Sequence, residues 1–229
     1  MEPDAKPKTE WPTFCLHSGT ASVRDGLKGR CPACSIPCRV PPLSRLAILA
    51  VALLCLARPG TAADYAIDPA HTYAAFEIDH LGFSTQRGLF SRTSGNVQFD
   101  AEARSGNIDI RIDAASLNTG FELRDEVLRS ESWFNVQSFP DILFRGQRFV
   151  FEQDKPVAVE GTLVMLGEAR PMRLEITRFK CGLNLAIRKR GCGADAQGAL
   201  RRSDFGLSNG LPFIGDEVRL RIQVEAYLP

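Results

Sequence analysis

Strict alternation of apolar and polar residues is the feature of this chain that leaves the fewest folds open. Ile108, Ile110 and Ile112 alternate with Asp109, Arg111 and Asp113; Met172, Leu174 and Ile176 alternate with Arg173, Glu175 and Thr177. Val218, Leu220, Ile222, Val224 and Ala226 alternate with Glu217, Arg219, Arg221, Gln223 and Glu225. Successive side chains of a strand point to opposite faces, so a period of two marks β-strands with one face buried. Looser runs of the same period at 72–80, 88–100, 141–152, 156–167 and 194–203 bring the predicted strands to eight. Most connections are short and polar or contain Gly and Pro, such as Gln153-Asp154-Lys155-Pro156 and Gly167-Glu168-Ala169-Arg170-Pro171. These suit antiparallel hairpins and leave no room for crossover helices. One stretch departs from the pattern: between 121 and 135, Leu123, Val127 and Leu128 fall at helical spacing and predict a short helix capping one end.

Eight antiparallel strands with one apolar face fold into a sandwich or close into a barrel, and closure removes the exposed edges. Charges of both signs line the polar face of nearly every run, whereas an eight-stranded lumen has room only for side chains or one small ligand. The charges therefore face water and the apolar face is the lumen, which argues against an outer-membrane barrel. In this register Phe76, Ile78, Phe99, Ile108, Ile110, Phe144, Leu163, Leu174, Leu220 and Ile222 point inward, with Ala74, Gly161 and Ala199 as small residues that leave space. The same list describes either a tunnel for an apolar chain or a solid core, and alternation does not separate the two.

The first 63 residues read as a leader. Leu46 to Ala57 is an uncharged apolar run of about a dozen residues, preceded by Arg45 and followed by PGTAA, which suits signal cleavage after Ala63. It is shorter than the roughly 20 residues a membrane span needs. Residues 1–39 make an unusually long segment ahead of it; either translation starts near Val40, or Cys31, Cys34 and Cys38 form a metal knuckle, for which a fourth ligand is poorly placed. The domain is then 64–229, with 20 basic and 23 acidic residues. That mildly acidic balance gives no footprint for nucleic acid. Cys181 and Cys192 alone of the seven cysteines remain in it. In an oxidising compartment they form a structural disulfide; the alternative, a redox-active dithiol, usually has its thiols closer together.

Polar candidates are few. His80 continues the inward series Phe76, Ile78 and is a candidate head-group contact, as is Arg202 of the Arg202-Ser203-Asp204 run, which could instead pair with Asp204. Arg124 and Asp125 suit capping and ion-pair roles at the helix start. No metal or cofactor is expected, since His71 and His80 lack further ligands. A hydrolase built on Ser203, His80 and Asp204 is the other enzymatic alternative, but Ser203, with Arg201 and Phe205 two residues to either side, does not sit in a Gly-x-Ser-x-Gly elbow.

Four stretches, YAIDPAHTYAAFEIDHLGFSTQRGLF (65–90), SLNTGFELRDEVLRSESWFNVQSFPDILF (116–144), GTLVMLGEARPM (161–172) and RRSDFGL (201–207), resemble the YceI family in order and spacing, and the likeness covers essentially all of 64–229. Cys181 and Cys192 resemble a cysteine-containing branch. Gly167-Glu168-Ala169 stands where the family more often has Gly-Val-Thr. The resemblance implies a periplasmic, lipocalin-like barrel that holds a polyisoprenoid or isoprenoid-quinone-like chain and catalyses nothing, with transient membrane contact and a homodimer both compatible. The alternative in another class is a filled barrel acting as a structural or stress-response interaction protein without ligand.

Overall fold

A computed structural model describes residues 62–229, so the expectations for the leader lie outside the described residues. The strands are β1 (Ala63–Ile67), β2 (Tyr73–His80), β3 (Ser84–Phe90), β4 (Thr93–Asp100), β5 (Ser105–Asp113), β6 (Leu117–Asn118), β7 (Asp141–Glu152), β8 (Lys155–Met165), β9 (Glu168–Asn184), β10 (Lys189–Arg201) and β11 (Ile214–Tyr227). Among the described residues, one α-helix, α1 (Glu122–Arg129), and 3-10 turns at Ala114–Ser116 and Arg202–Phe205 complete the elements. Every pairing is antiparallel, and the sheet closes as β1-β4-β5-β7-β8-β9-β10-β11 and back to β1.

The strands make eight staves. β1 and β2 pair with the same edge of β11, through Ala66 with Tyr227 and Ala74 with Ile222. On their other side β1 meets β4 and β2 meets β3, through Ala63 with Phe99 and Ala74 with Phe90. β1 and β2 are thus one interrupted stave and β3 and β4 a second; β5 and β6 form a third, pairing with β4 and β3 in turn. Backbone and side-chain hydrogen bonds across the breaks replace the lost ladder bonds, since buried backbone groups need partners. Ser91 N donates to Ser116 O at 3.2 Å, Arg92 N donates to Ser116 Oγ at 3.1 Å, and Thr72 Oγ1 both donates to Glu225 O and accepts from Glu225 N.

The eight-stranded antiparallel barrel is as the alternation predicts, but several boundaries differ. The first stave begins at Ala63, and the 88–100 run is two strands that start at Ser84 and break at Ser91 and Arg92. β9 and β10 run far past the 172–177 and 194–203 runs to a shared hairpin at 185–188, while Arg202 and Ser203 belong to a 3-10 turn and not to the strand. The helix ends at Arg129, and its inward face is only partly the predicted one: Leu128 packs against the core, but Leu123 and Val127 are exposed, whereas Asp125 is 2% exposed. Asp125 turns inward because its carboxylate accepts from Thr119 N at 2.9 Å and from Thr119 Oγ1, tying the loop before α1 to its first turn.

The outer face carries the charges, paired as Arg87 with Glu77 at 3.0 Å, Arg111 with Asp141 at 2.7 Å and Arg173 with Glu160 at 2.6 Å. Exposed pairs like these contribute roughly 0–1 kcal/mol each, so the barrel rests on its interior. That interior is most tightly packed near α1, where Ile112, Leu117, Ile142, Leu163, Met165, Met172, Phe205 and Leu207 are buried in one cluster. No described helix is long and apolar enough to cross a membrane.

Candidate functional site

The inward faces of the staves enclose a cavity of about 310 Å³. Packed protein interiors hold few voids larger than a water molecule, so this space is not a solid core. Phe76, Ile78 and His80 of β2, Phe99 of β4, Ile108 and Ile110 of β5, Phe144 of β7, Leu163 of β8, Leu174 of β9, and Leu220 and Ile222 of β11 all line it. Ala74 does too, but the other two small residues do not open it. A Cβ on Gly161 would stand 2.1 Å from Arg145 O, so this glycine permits close strand approach at a bulge instead of lining free space. Ala199 faces outward opposite Arg219. The small inward residues are Ala194 and Ala196 on β10, followed in the same series by Gly198, whose Cβ would lie 2.9 Å from Leu174 Cδ2.

Bulges explain which lining residues alternation misses. The register of β9 with β10 shifts between Asp195 and Ala196, so the inward series Met172, Leu174, Ile176 resumes at Phe179, not at Arg178. β7 shifts likewise after Gly146, which brings Phe149 inward. An extra residue reverses the face of everything after it. The only signal in the sequence was an aromatic residue at the wrong parity.

The two ends of the cavity differ in chemistry. Near the β9–β10 hairpin, Phe99 meets Phe149 and Phe179 with ring centroids 5.4 and 5.2 Å apart. Near α1 polar side chains join the apolar lining. Arg124 donates through Nη1 to Gln86 Oε1 at 2.6 Å, through Nε to Thr119 Oγ1 at 2.7 Å and through Nη2 to Thr119 O at 2.8 Å. Arg124 and Asp125 therefore meet through Thr119 and do not pair with each other. His80 sits at the same end, opposite Ser84 and Ile214 in the sheet.

Arg202, 3% exposed, also lines the cavity here. It does not pair with Asp204: Nε donates to Gly215 O at 2.8 Å, Nη1 to Leu207 O and Nη2 to Ile214 O at 3.0 Å, and the guanidinium lies 5.8 Å from the Trp133 ring centroid. Burial lowers its pKa, against the charge of Asp216. A guanidinium has five N–H groups, so two remain for another acceptor. These carbonyl partners come from distant backbone, which no motif reports.

Ser203 donates from Oγ to Asp216 Oδ2 at 2.8 Å and from N to Asp216 Oδ1 at 2.9 Å, while Arg201 pairs with Asp216 at 3.0 Å. The serine is bound to a carboxylate, not to a histidine, so the Ser203–His80–Asp204 triad is not assembled. His71 lies in the break between β1 and β2, on the outer surface, with Nδ1 2.7 Å from Asp68 Oδ2; that hydrogen bond raises the imidazole pKa above its ordinary value. Asp68, His71 and Glu225 bring their polar atoms within 4.8 Å of one another, a grouping sequence distance concealed. The two cysteines are joined: Cys181 and Cys192, opposite each other in β9 and β10, form a disulfide.

Residues 65–226 match the YceI-like domain. A UPF0312 protein of Enterobacter sp. (strain 638) is 32% identical over 183 residues, covering 79% of this chain and 94% of that protein. Protein YceI of Salmonella arizonae is 32% identical over 167 residues, 72% of this chain and 86% of its own. Among solved structures, the YceI protein of Campylobacter jejuni superposes with a TM-score of 0.56 at 26% identity, over 66% of this chain and 90% of that one. A polyisoprenoid binding domain from Saccharophagus degradans, implicated in plant cell wall breakdown, shares the fold with a TM-score of 0.56 at 16% identity, over 72% and 98% of the two chains. Closed barrel, capping helix and sequence agree, and this chain belongs to the YceI family.

Proposed function

We propose that the barrel is a non-catalytic carrier that holds one apolar isoprenoid chain, a polyprenyl or isoprenoid-quinone-like lipid, in its lumen within the periplasm. The observation that carries this reading is the cavity of about 310 Å³ with its almost wholly apolar wall. Apolar cavities of this kind stay dry, so water is a poor occupant, and burial of a hydrocarbon stabilises by about 0.8 kcal/mol per methylene. The volume sits in the range of ligand pockets, roughly 300–1,000 Å³. The polar end suits a head group: Arg202 keeps two N–H groups free for a phosphate or carbonyl oxygen, with His80 and Arg124 on the same rim. The polyisoprenoid binding domain of Saccharophagus degradans has the same fold. A disulfide at Cys181 and Cys192 suits an oxidising compartment.

Lipid extraction and native mass spectrometry of protein purified from the periplasm test the proposal. Wild type is expected to retain one apolar lipid per barrel. Ala196→Phe and Ala74→Phe are expected to lose it while melting within a few degrees of wild type, because each fills open space. Wild type without lipid, together with variants destabilised by about 1–3 kcal/mol as in an overpacked core, would leave the filled barrel as the better reading.

A further inference from the structure

We propose that the tip of the β9–β10 hairpin docks this protein on an anionic lipid bilayer. Docking stands on the hairpin alone; its use for loading or unloading the lumen rests on the carrier reading. The hairpin projects past the wall: β9 makes its last pairing with β8 at Glu175, β10 makes its first with β11 at Gly191, and the last bond to the neighbouring stave runs from Leu228 N to Arg190 O at 2.9 Å, so the backbone of residues 183–189 pairs only within the hairpin or turns back. Three aliphatic side chains sit on this projection in water, Leu183 at 58%, Leu185 at 80% and Ile187 at 51% exposure. Around them are Lys180, Arg188, Lys189 and Arg190, and no Asp or Glu occurs between 178 and 194.

The exposure is built in. Asn184 Oδ1 accepts from Ala186 N at 3.0 Å, and Asn184 Nδ2 donates to Tyr227 Oη at 2.8 Å, which anchors the turn to the last stave. Arg188 takes the left-handed conformation that ends the turn, and the disulfide crosses the two strands three residues below Asn184. The turn is thereby held in a shape that presents Leu185 and Ile187 outward, where they cannot collapse onto the barrel. Leu183 lies on the same strand face as Cys181 and Phe179, so an apolar track runs from the cavity lining to the tip. An apolar point ringed by cations fits the boundary between anionic head groups and acyl chains. Charge distinguishes it from the exposed apolar residues of the β2–β3 turn and α1, Leu81, Phe83, Phe121, Leu123 and Val127, whose sequence neighbours mix Asp79, Glu122, Asp125 and Glu126 with Arg87, Arg124 and Arg129 and so give no one-signed ring of cations.

Vesicle flotation tests this, using phosphatidylcholine alone or mixed with phosphatidylglycerol. Wild type is expected to float with the mixed vesicles only, and less so as salt rises. Lys189→Glu with Arg190→Glu is expected to lower the partition at least fivefold per residue, on the scale of basic residues at anionic surfaces. Leu185→Ser with Ile187→Ser is expected to abolish flotation while the disulfide and melting temperature stay as in wild type. Indifference of wild type to phosphatidylglycerol, or flotation of both double variants like wild type, overturns the proposal. So does dissociation of a dimer by the same substitutions, since the tip would then face another protein. Lipid retained in the barrel, measured on the same samples, separates the two readings. Loss of flotation with lumen lipid intact is the expected outcome for the variants; a wild type that floats without lumen lipid overturns the carrier reading and supports docking.

Discussion

The end of the barrel near α1 is closed by hydrogen bonds, and the end near the β9–β10 hairpin is closed by phenyl rings. At the first, Asp125, Thr119, Arg124, Arg202, Ser203 and Asp216 each hold a fixed polar partner, and most of the residues buried in the core cluster lie beside them. At the second, Phe99, Phe149 and Phe179 meet edge and face with no polar partner to lose. A hydrogen bond broken in a dry site leaves an unsatisfied group, whereas an apolar contact rearranges into another of similar energy. One end is thus rigid by chemistry; the other is shaped mainly by packing and by the disulfide outside it.

The largest difference should come from Asp125→Ala. It strips the buried Thr119 N–H and hydroxyl of their acceptor and should cost about 3 kcal/mol of global stability, read as a fall in the denaturation midpoint. A loss under 1 kcal/mol would mean that the α1 end is no more fixed than the other. Removing the disulfide by Cys181→Ser with Cys192→Ser should cost less, about 2 kcal/mol, because the loop it closes is short and the strands remain paired. Its sharper signature is local: amide exchange should quicken across 179–194 and stay unchanged around α1. Uniform acceleration would show that the two ends unfold as one unit.

The smallest effect is one of pH. Burial raises the pKa of Asp216, but the hydrogen bonds from Ser203 and the Arg201 ion pair outweigh it, so the folded value lies below the ordinary one. A depressed carboxylate contributes stability that is present above the unfolded pKa of about 4 and is lost as pH falls through the folded value. Melting temperature should therefore decline more steeply below pH 4 in wild type than in Asp216→Asn. Equal slopes would show that the turn carrying Arg202 does not depend on this charge.

Alternation made the wall legible wherever one face is wet and the other apolar, as in β5, in β9 up to Ile176, and in β11. It failed where that condition fails. Ala63–Ile67 is too short to display a period, and the breaks at Ser91 and Arg92 arise from Ser116, a partner remote in sequence. The outer part of the β9–β10 hairpin is wet on both faces and carries no contrast to read. Helical spacing located α1 and placed Leu128 inward correctly but misplaced Leu123 and Val127, because a hydrophobic pattern gives no weight to an aspartate whose acceptors collect a loop. The inward series was readable residue by residue, yet the volume it encloses was not: that depends on the small side chains of β10 and on two bulges, which are properties of register.

The closure of the ring by β11 against β1 and β2 has a consequence for how the chain folds. Seven of the eight contacts between staves join staves adjacent in sequence, most of them through short connections at little entropic cost, whereas Ala66 and Tyr227 must meet across about 160 residues. Loop closure over that distance gains nothing until the other staves are in place, so ring closure is the late, slow step. Until then the chain is an open curled sheet with two unpaired edges and its whole oily face accessible, and it is in this interval, not in the finished barrel, that the protein is most exposed to aggregation.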